Sequence, residues 1–213
     1  ATCGFGDALR IGYQTRPRLF DRRIVLPDML YGAVLEVSER VRADGVVEVP
    51  IEIEGARAGL KALFDQGFRA IAVVFMHGYR YPEHERQLCT LARALGFTQV
   101  SASHETNPLM KYVSRGDTTV VDAYLSPLLR RYVQQVASEL GDARLMFMQS
   151  NGGLTNAELF QGKDAILSGP AGGIVGAVRT AVDASFKRII SFDMGGTTAK
   201  TGLVRKGTPT ITK

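Results

Sequence analysis

The sequence has 213 residues, 45% of them hydrophobic and 22% charged, which is ordinary for a globular protein that buries a core. The net charge of +5 does not indicate nucleic-acid binding, because the basic residues are scattered among acidic ones and no aromatic-plus-basic module accompanies them. No apolar run approaches the roughly 18 residues of a membrane span, which argues against a membrane partner.

The cysteines and the ends of the chain bear on its setting. Two distant cysteines without a CxxC pair, and three scattered histidines, give no zinc spacing. With no signal peptide in view, we expect a reducing, cytoplasmic location. The absent initiator methionine, and a predicted strand running up to Lys213, lead us to expect an internal fragment of a longer polypeptide.

The first predicted region, 1–50, is largely irregular. It holds a short helical piece, 7–13, and then two alternating, β-branched stretches, 34–41 and 46–49. Asp44-Gly45 between them is a turn signal, so these two stretches are predicted to form a β-hairpin.

The second region, 51–165, is predicted to be an α/β domain with a mostly parallel sheet, because helices and strands alternate in it. A long helix follows, 118–140, with Asp117 or Thr118 as its N-cap and an interruption or kink at Pro127. The predicted alternating elements are helix 56–66, strand 70–76, helix 82–95, strand 99–102 and, after the long helix, strand 145–148.

The third region, 166–213, contains the strongest candidate site. An apolar strand, 188–192, enters the turn from Asp193 to Thr198, and 200–204 returns from it. Glycines let backbone N–H groups approach phosphate oxygens, threonine hydroxyls add donors, and the carboxylate of Asp193 can hold hydrated Mg²⁺ or orient water. These features predict a nucleotide-phosphate turn, against the alternative of a plain hairpin turn. Its backbone and hydroxyl donors would come from Gly195, Gly196, Thr197 and Thr198.

A second candidate is the glycine-rich stretch 166–177, interpreted as a short strand, a turn and a helix. Bare N–H groups at the helix start would form an anion site that includes Gly169, Gly172 and Gly173. The spacing differs from a dinucleotide fingerprint. Glycines four apart would equally allow close helix packing, and both readings stay open.

Two further polar clusters are weaker candidates. Ser150 and Asn151 follow a predicted buried strand, where α/β proteins place binding groups, although Asn151-Gly152 is also a common turn. His104 and Glu105 could act as acid and base or as metal ligands, or form a capping pair. Glu83 and Glu85 are predicted only to complement a helix dipole.

With these stretches in view, the sequence resembles the hydantoinase A/5-oxoprolinase family of ATP-dependent cyclic-amide hydrolases, whose relatives include ATP-dependent ketone carboxylases. The resemblance spans nearly the whole chain in the expected order. It departs from the family's pattern at Asp122, where Asn is usual, and at Gly116-Asp117, where a Thr-Ser-like pair is usual. The matching stretches are 4–9, 16–21, 84–86, 118–125, 148–154, 167–173 and 192–198.

The resemblance implies an actin/sugar-kinase/Hsp70-like ATPase fold, α/β with mixed or parallel sheets and flanking helices, in which two hairpins clamp ATP. The turn after Asp193 would be the second hairpin, and the first would lie upstream of Ala1. The substrate would be 5-oxoproline or a hydantoin, activated by phosphorylation with ATP and Mg²⁺. A B-type subunit or domain is the implied partner, a homo-oligomer stays open, and Ser150, Asn151 and Arg115 are the substrate candidates.

Three alternatives remain at this point. The same hairpin could serve a nucleotide-binding module without hydrolase activity, or a subunit of an ATP-dependent ketone carboxylase. A dinucleotide-binding oxidoreductase built on 169–176 is the most distant alternative. Because half of the phosphate clamp would be missing, the isolated chain is expected to be inactive.

Overall fold

The computed structural model describes residues 1–13, 20–141, 143–194, 199–205 and 208–209. The chain forms two compact units, residues 1–128 and 129–213. The three-part division drawn from the sequence stays a prediction. Among the helices of the described segments, none has the length and apolar character that crossing a bilayer requires.

The described residues of unit 1 contain four strands, four short or medium helices and most of one long helix that continues into unit 2. In chain order its elements are α1 (Ala8–Ile11), β1 (Arg40–Val41), β2 (Val47–Val49), α2 (Ile53–Asp65), β3 (Ala70–Val73), α3 (Glu83–Ala94), β4 (Gln99–Ala102), α4 (Ser103–Thr106) and α5 (Tyr112–Leu140).

The predicted hairpin is present, but its first strand is shorter than expected. Strands β1 and β2 pair antiparallel, and Gly45 takes a positive φ of 92° in the turn, a conformation that favours glycine. The predicted strand 34–41 reduces to β1, because Val37 forms an isolated parallel bridge with Thr2 and does not join the hairpin.

Unit 1 takes its core from β3, β4 and the helices beside them. Strands β3 and β4 pair in parallel from Ala70↔Gln99 to Val73↔Ala102, connected through α3. Within the predicted region 51–165, the expected parallel pairing is present in β3–β4, but β5 and β6 pair antiparallel, so the sheets there are mixed rather than mostly parallel. The most buried apolar side chains of this core include Leu60, Val73, Phe75, Leu88, Cys89 and Ala92.

Helix α5 begins six residues earlier than predicted. Thr118 is an interior residue whose hydroxyl donates to the Ser114 carbonyl at 2.9 Å, so neither it nor Asp117 is the N-cap. The helix also continues through Pro127. Gly116 lies where a Cβ atom would come within 2.5 Å of a Leu9 methyl carbon, so glycine here lets α1 approach α5.

Unit 2 consists of small antiparallel sheets around one long helix. Its elements after α5 are β5 (Met146–Met148), β6 (Leu154–Asn156), a 3-10 turn (Ala157–Leu159), α6 (Gly162–Ala165), α7 (Ser168–Asp183), β7 (Arg188–Met194), β8 (Ala199–Arg205) and β9 (Thr208–Pro209). Strand β5 pairs with β6, and β7, β8 and β9 form a three-stranded sheet in that order. The predicted strands 145–148, 188–192 and 200–204 are confirmed.

Candidate functional site

Asp193 lies near the end of a strand that turns back on itself, as the sequence predicted. Strands β7 and β8 pair antiparallel, with Asp193 opposite Lys200 and Met194 opposite Ala199. The Asp193 residue is exposed. Four residues, Gly195, Gly196, Thr197 and Thr198, connect the two strands, and they lie outside the described residues. Their role as a phosphate turn therefore stays a prediction.

The second candidate segment is helical from Ser168 onwards, so the predicted strand and glycine-rich turn were wrong. Pro170 falls in the first turn of α7, where a missing backbone N–H costs no hydrogen bond. A Cβ atom at Gly169 or Gly173 would meet no atom of the described residues within 4 Å, whereas one at Gly172 would lie 3.6 Å from the Met148 Cγ. Close packing therefore does not explain Gly169 or Gly173 in this part of the chain.

Ser150 connects the β5–β6 turn to the start of α7. Its hydroxyl donates to the Asp164 carbonyl at 2.6 Å and accepts from the Leu167 N–H at 3.1 Å. Its own N–H also donates to the Asp164 carbonyl, at 2.8 Å. Leu167 immediately precedes α7, so this one side chain fixes the position of the helix N-terminus relative to β5.

Asn151 and Gly152 stabilise the turn itself. The Asn151 side-chain oxygen accepts from the Gly153 N–H at 2.7 Å, and Gly152 has a positive φ of 84°. Both features belong to a tight polar turn. A Cβ at Gly152 would be 3.3 Å from a Val175 methyl carbon of α7, so the turn lies against that helix.

The β7–β8 hairpin also packs on α7. A Cβ on Gly202 would lie 3.5 Å from the Ile174 Cγ1, and Gly202 is paired with Ser191, two residues before Asp193. The Ser150 turn and the β7–β8 hairpin therefore both contact α7, the helix that begins within the glycine-rich stretch. The positive end of a helix dipole favours anions at such a start.

Arg115 occupies a different environment from the one predicted for a substrate contact. The residue is fully buried, and its guanidinium donates to one hydroxyl and four backbone carbonyls. Burial lowers the pKa of this guanidinium, while the nearby Glu85 carboxylate opposes that shift. These contacts favour a structural role for Arg115. They do not support the prediction that Arg115 contacts the substrate, which stays a prediction. Its acceptors are Ser103 Oγ, Leu109 O, Met110 O, Phe75 O and Met76 O.

Glu85 is the residue whose importance the sequence did not reveal. The expectation that it only complements a helix dipole was wrong, because its side chain is completely buried. One oxygen accepts from the Phe75 N–H at 2.8 Å and the Ser103 hydroxyl at 2.5 Å. The other is bonded to the His104 N–H at 3.0 Å and to its Nδ1 at 2.7 Å. Glu85 thus joins the ends of β3 and β4.

Two further histidine–carboxylate pairs differ in distance and burial. His104 Nε2 is 3.7 Å from a Glu105 oxygen, and buried His84 places its Nδ1 2.9 Å from Glu39. Each ring is held by an acidic side chain, which accounts for these residues structurally. No group of three or more potential metal ligands is found within the described ranges. A single carboxylate such as Asp193 nevertheless suits Mg²⁺, which usually combines one or two carboxylates with nucleotide phosphates and water.

Two models of one family match consecutive parts of the chain. The model described as the hydantoinase/oxoprolinase N-terminal region matches residues 1–96. The model described as hydantoinase/oxoprolinase matches residues 115–213. Together they match all of the chain except residues 97–114.

Curated relatives contain a similar sequence within much longer chains. The chain is 41% identical over 220 residues to "5-oxoprolinase 1" of Arabidopsis thaliana, covering 92% of this chain and 17% of that protein. It is 38% identical to the "5-oxoprolinase" of Saccharomyces cerevisiae, with 92% and 18% covered. It is 30% identical to "Caprolactamase subunit alpha" of Pseudomonas jessenii, with 100% and 32% covered. The chain thus spans between a sixth and a third of these relatives.

Two solved structures have a similar fold. The crystal structure of the ATP-dependent caprolactamase from Pseudomonas jessenii superposes with a TM-score of 0.78 at 29% identity, covering 95% of this chain and 31% of that one. A nucleotide-free acetone carboxylase structure gives 0.69 at 24% identity, with 81% and 26% covered. At that identity the second likeness concerns the fold alone.

Proposed function

The chain belongs to the hydantoinase/oxoprolinase family, and we propose that it forms part of an enzyme that couples ATP hydrolysis to the opening of a cyclic amide. The observation that carries this proposal is that the Asp193 hairpin and the Ser150 turn both contact α7, whose first turns carry the glycine-rich motif. Relatives named 5-oxoprolinase and caprolactamase support the cyclic amide as the substrate class.

The fold proposed for the whole enzyme is the actin/sugar-kinase/Hsp70-like ATPase arrangement. In it, the hairpin after Asp193 would be one of two that hold the nucleotide. The antiparallel β7–β8 pairing supports the hairpin geometry. The second hairpin would be supplied by polypeptide outside residues 1–213.

ATP would supply the phosphoryl group that activates the amide. Transfer of the γ-phosphoryl to the amide oxygen breaks the bond to ADP and makes the carbonyl carbon more electrophilic. Water would then add at that carbon and the ring C–N bond would break, which leaves an acyl phosphate. A second water would hydrolyse this to the carboxylate and inorganic phosphate, so one ATP and two waters would be consumed for each ring opened. The protein would stabilise the charge on the transferring group rather than form a covalent bond with it.

The residues of this chain would contribute in four ways. Asp193 would hold Mg²⁺ or orient water. The glycines and threonines at 195–198 would donate to the β- and γ-phosphate oxygens, and Gly169, Gly172 and Gly173 would leave the start of α7 open to an anion. Ser150 would position that helix start through its contacts with Asp164 and Leu167.

A second subunit or domain is proposed as the partner of this one. The relative from Pseudomonas jessenii is named as an alpha subunit, which supports a heteromeric enzyme. The partner expected from the family is of the B type. The nearness of Ser150 and Asn151 to α7 keeps both as candidates for substrate contact, although each already has a partner within unit 2.

The test is an assay of the intact enzyme, with its partner subunit, for ADP release and ring-opened product. Candidate substrates are 5-oxoproline, hydantoin and caprolactam. ADP and product formed in equal amounts with one of them are expected. Acetone with bicarbonate is included because a subunit of an ATP-dependent ketone carboxylase is the alternative that the sequence leaves open, and turnover with that pair alone would contradict the proposal. Nucleotide binding without turnover of any of them would identify a non-hydrolytic nucleotide-binding module instead.

A further inference from the structure

An apolar groove of about 480 Å³ lies beside strand β3 in unit 1. Its walls come from the segment before the β1–β2 hairpin, from helices α2 and α5, and from β3 itself. Ala1 also lines it. Representative lining side chains are Leu35, Leu60, Phe68, Ile71, Val73 and Tyr124.

One wall of the groove carries unused hydrogen-bonding groups of β3. Within the described residues β3 pairs only with β4. The Arg69 carbonyl accepts from the Gln99 N–H at 3.2 Å, and parallel pairing alternates, so residues 71 and 73 bond to β4. The N–H and C=O groups of Ala70 and Ala72 therefore point to the other edge, towards the groove.

The opposite wall, residues 33–37, already pairs in parallel with the first residues of the chain. Val37 N–H donates to the Ala1 carbonyl at 2.8 Å, and Cys3 N–H donates to the Val37 carbonyl at 3.0 Å. The Ala1 nitrogen donates to the Leu35 carbonyl at 2.8 Å. In a parallel ladder the next bond joins the Leu35 N–H to the carbonyl of the residue two positions before Ala1.

The beginning of the chain is also attached to β3. The Met76 N–H, just beyond the end of β3, donates to the Thr2 hydroxyl at 3.0 Å. Residues 1–3 therefore lie between wall 33–37 and the continuation of β3. A chain extended backwards from Ala1 along the same line would pass through the groove, with β3 on one side and Leu35 on the other.

We propose that this groove holds an apolar β-strand of the same polypeptide that leads directly into Ala1 and pairs in parallel with β3 and with residues 33–37. About five residues are needed to run from beside Val74 to beside Ala70. Parallel strands are normally buried on both faces, which matches the apolar lining. The relatives are three to six times longer than this chain, so they contain polypeptide that can supply such a strand.

The state of the Ala1 nitrogen supports this continuation. Burial lowers the pKa of this ammonium group to about 6, against the raising effect of the carboxylates of Glu39, Glu36 and Glu85. A charged amine is costly to bury, whereas the peptide N–H of a continuing strand carries no charge and makes the same bond to the Leu35 carbonyl. This pairing would hold whether or not the enzyme opens cyclic amides.

Extension of the 213-residue chain tests the proposal. Six residues of valine and isoleucine are added before Ala1, and the matched control has proline at every second position of the extension, which removes the strand donors. Hydrogen exchange is measured in peptides covering 33–37 and 70–74. The apolar extension is expected to slow exchange there by about 10-fold or more, with no change in a peptide from unit 2. The control is expected to give no protection.

Disulfide trapping gives an independent measurement of the same pairing. In a Cys3→Ser background, Ala72→Cys is combined with a single cysteine at successive positions of the extension. Parallel pairing predicts crosslinking at one position, or at two that share a face. Crosslinking at all positions or at none, unchanged exchange in a folded chain, or equal protection by the proline control would each overturn the proposal.

Discussion

The Arg115 Nε atom donates a 2.9 Å hydrogen bond to the Ser103 hydroxyl, which donates in turn to the Glu85 carboxylate at 2.5 Å. This chain of contacts connects the first turns of α5 to the ends of β3 and β4. All three residues are buried. No buried side-chain nitrogen or oxygen of the described residues lacks a hydrogen-bond partner, so the network is satisfied as it stands.

Replacing Arg115 is therefore expected to destabilise unit 1. Arg115→Met removes five donated hydrogen bonds and leaves buried carbonyls and the Glu85 charge without compensation. A loss of about 3 kcal/mol or more in the free energy of unfolding is expected. Urea denaturation followed by circular dichroism measures it. The control is Arg131→Met, an exposed arginine of the same helix, and equal stability of the two variants would contradict the structural role of Arg115.

The two cysteines are expected to differ sharply in reactivity. Burial, with a smaller effect from the Glu85 charge, raises the pKa of the Cys89 thiol to about 12, whereas Cys3 is exposed. A thiol-specific reagent should label one thiol per native chain at pH 8 and two in denaturant, because the thiolate is the reactive form. Cys3→Ser should abolish native labelling and Cys89→Ser should leave it unchanged. Native labelling of Cys89 would contradict its placement in the core.

The raised pKa of the Cys89 thiol also predicts that the stability of the fold depends on pH. The unfolded thiol titrates near 9.0 and the folded one near 12, so the folded state keeps a proton that the unfolded state releases between these values. The contribution of the Cys89 thiol to the free energy of unfolding is fully present below pH 9 and is lost as the pH rises towards 12. Cys89→Ala should reduce that part of the decline, as urea titrations at pH 8 and pH 10 would show.

The sequence predicted best where a local pattern determines the structure. Asp44-Gly45 located the hairpin, and the alternation of apolar runs located α2, β3, α3 and β4, because turn conformation and burial act within a few residues. It failed at Glu85 and at the start of α5. Glu85 bonds to partners 10 to 19 residues away along the chain. Helix α5 begins earlier than predicted, and Arg115 in its first turns donates to the Phe75 carbonyl just beyond β3. Such long-range contacts leave no periodic pattern in the sequence.

For the candidate site too, local patterns could be predicted from the sequence and long-range contacts could not. Polar and glycine-rich stretches identified three motifs, but their arrangement around α7 depends on the bonds of Ser150 and on the packing of Ile174 at Gly202. The glycine-rich stretch looked like a turn because glycine disfavours helices. Tertiary contacts along α7 override that preference, and Pro170 fits its first turn.

Ser150 is expected to act by positioning the start of α7. Ser150→Ala removes the bonds to Asp164 and Leu167, and should lower the free energy of unfolding by about 1 kcal/mol. In the intact enzyme we expect weaker ATP binding, seen as a higher KM for ATP, with a smaller effect on kcat. Ser138→Ala, at an exposed helical serine, is the control. A loss of kcat alone would indicate direct participation in the chemistry instead.

The isolated chain is expected to lack ATPase and ring-opening activity, because only one of the two proposed phosphate hairpins lies within residues 1–213. ADP release by the purified chain with Mg²⁺ and each candidate amide measures this. Robust turnover that Asp193→Ala abolishes would mean that a single hairpin suffices.

Asp193 provides the most direct test of the proposed chemistry. In the intact enzyme Asp193→Asn keeps the side-chain size at the end of β7 but removes the charge proposed to hold Mg²⁺ or orient water, and kcat should fall by about 100-fold or more. Coupled detection of ADP release and ring opening measures it. Asp183→Asn, at the exposed last residue of α7, makes the same charge change in the same unit and should leave kcat near the wild-type value.

Because the Asp193 residue is exposed, its replacement should not unfold unit 2, and unchanged circular dichroism would separate lost chemistry from lost structure. Wild-type turnover in Asp193→Asn would remove this residue from the mechanism, while the hairpin could still bind nucleotide through its backbone.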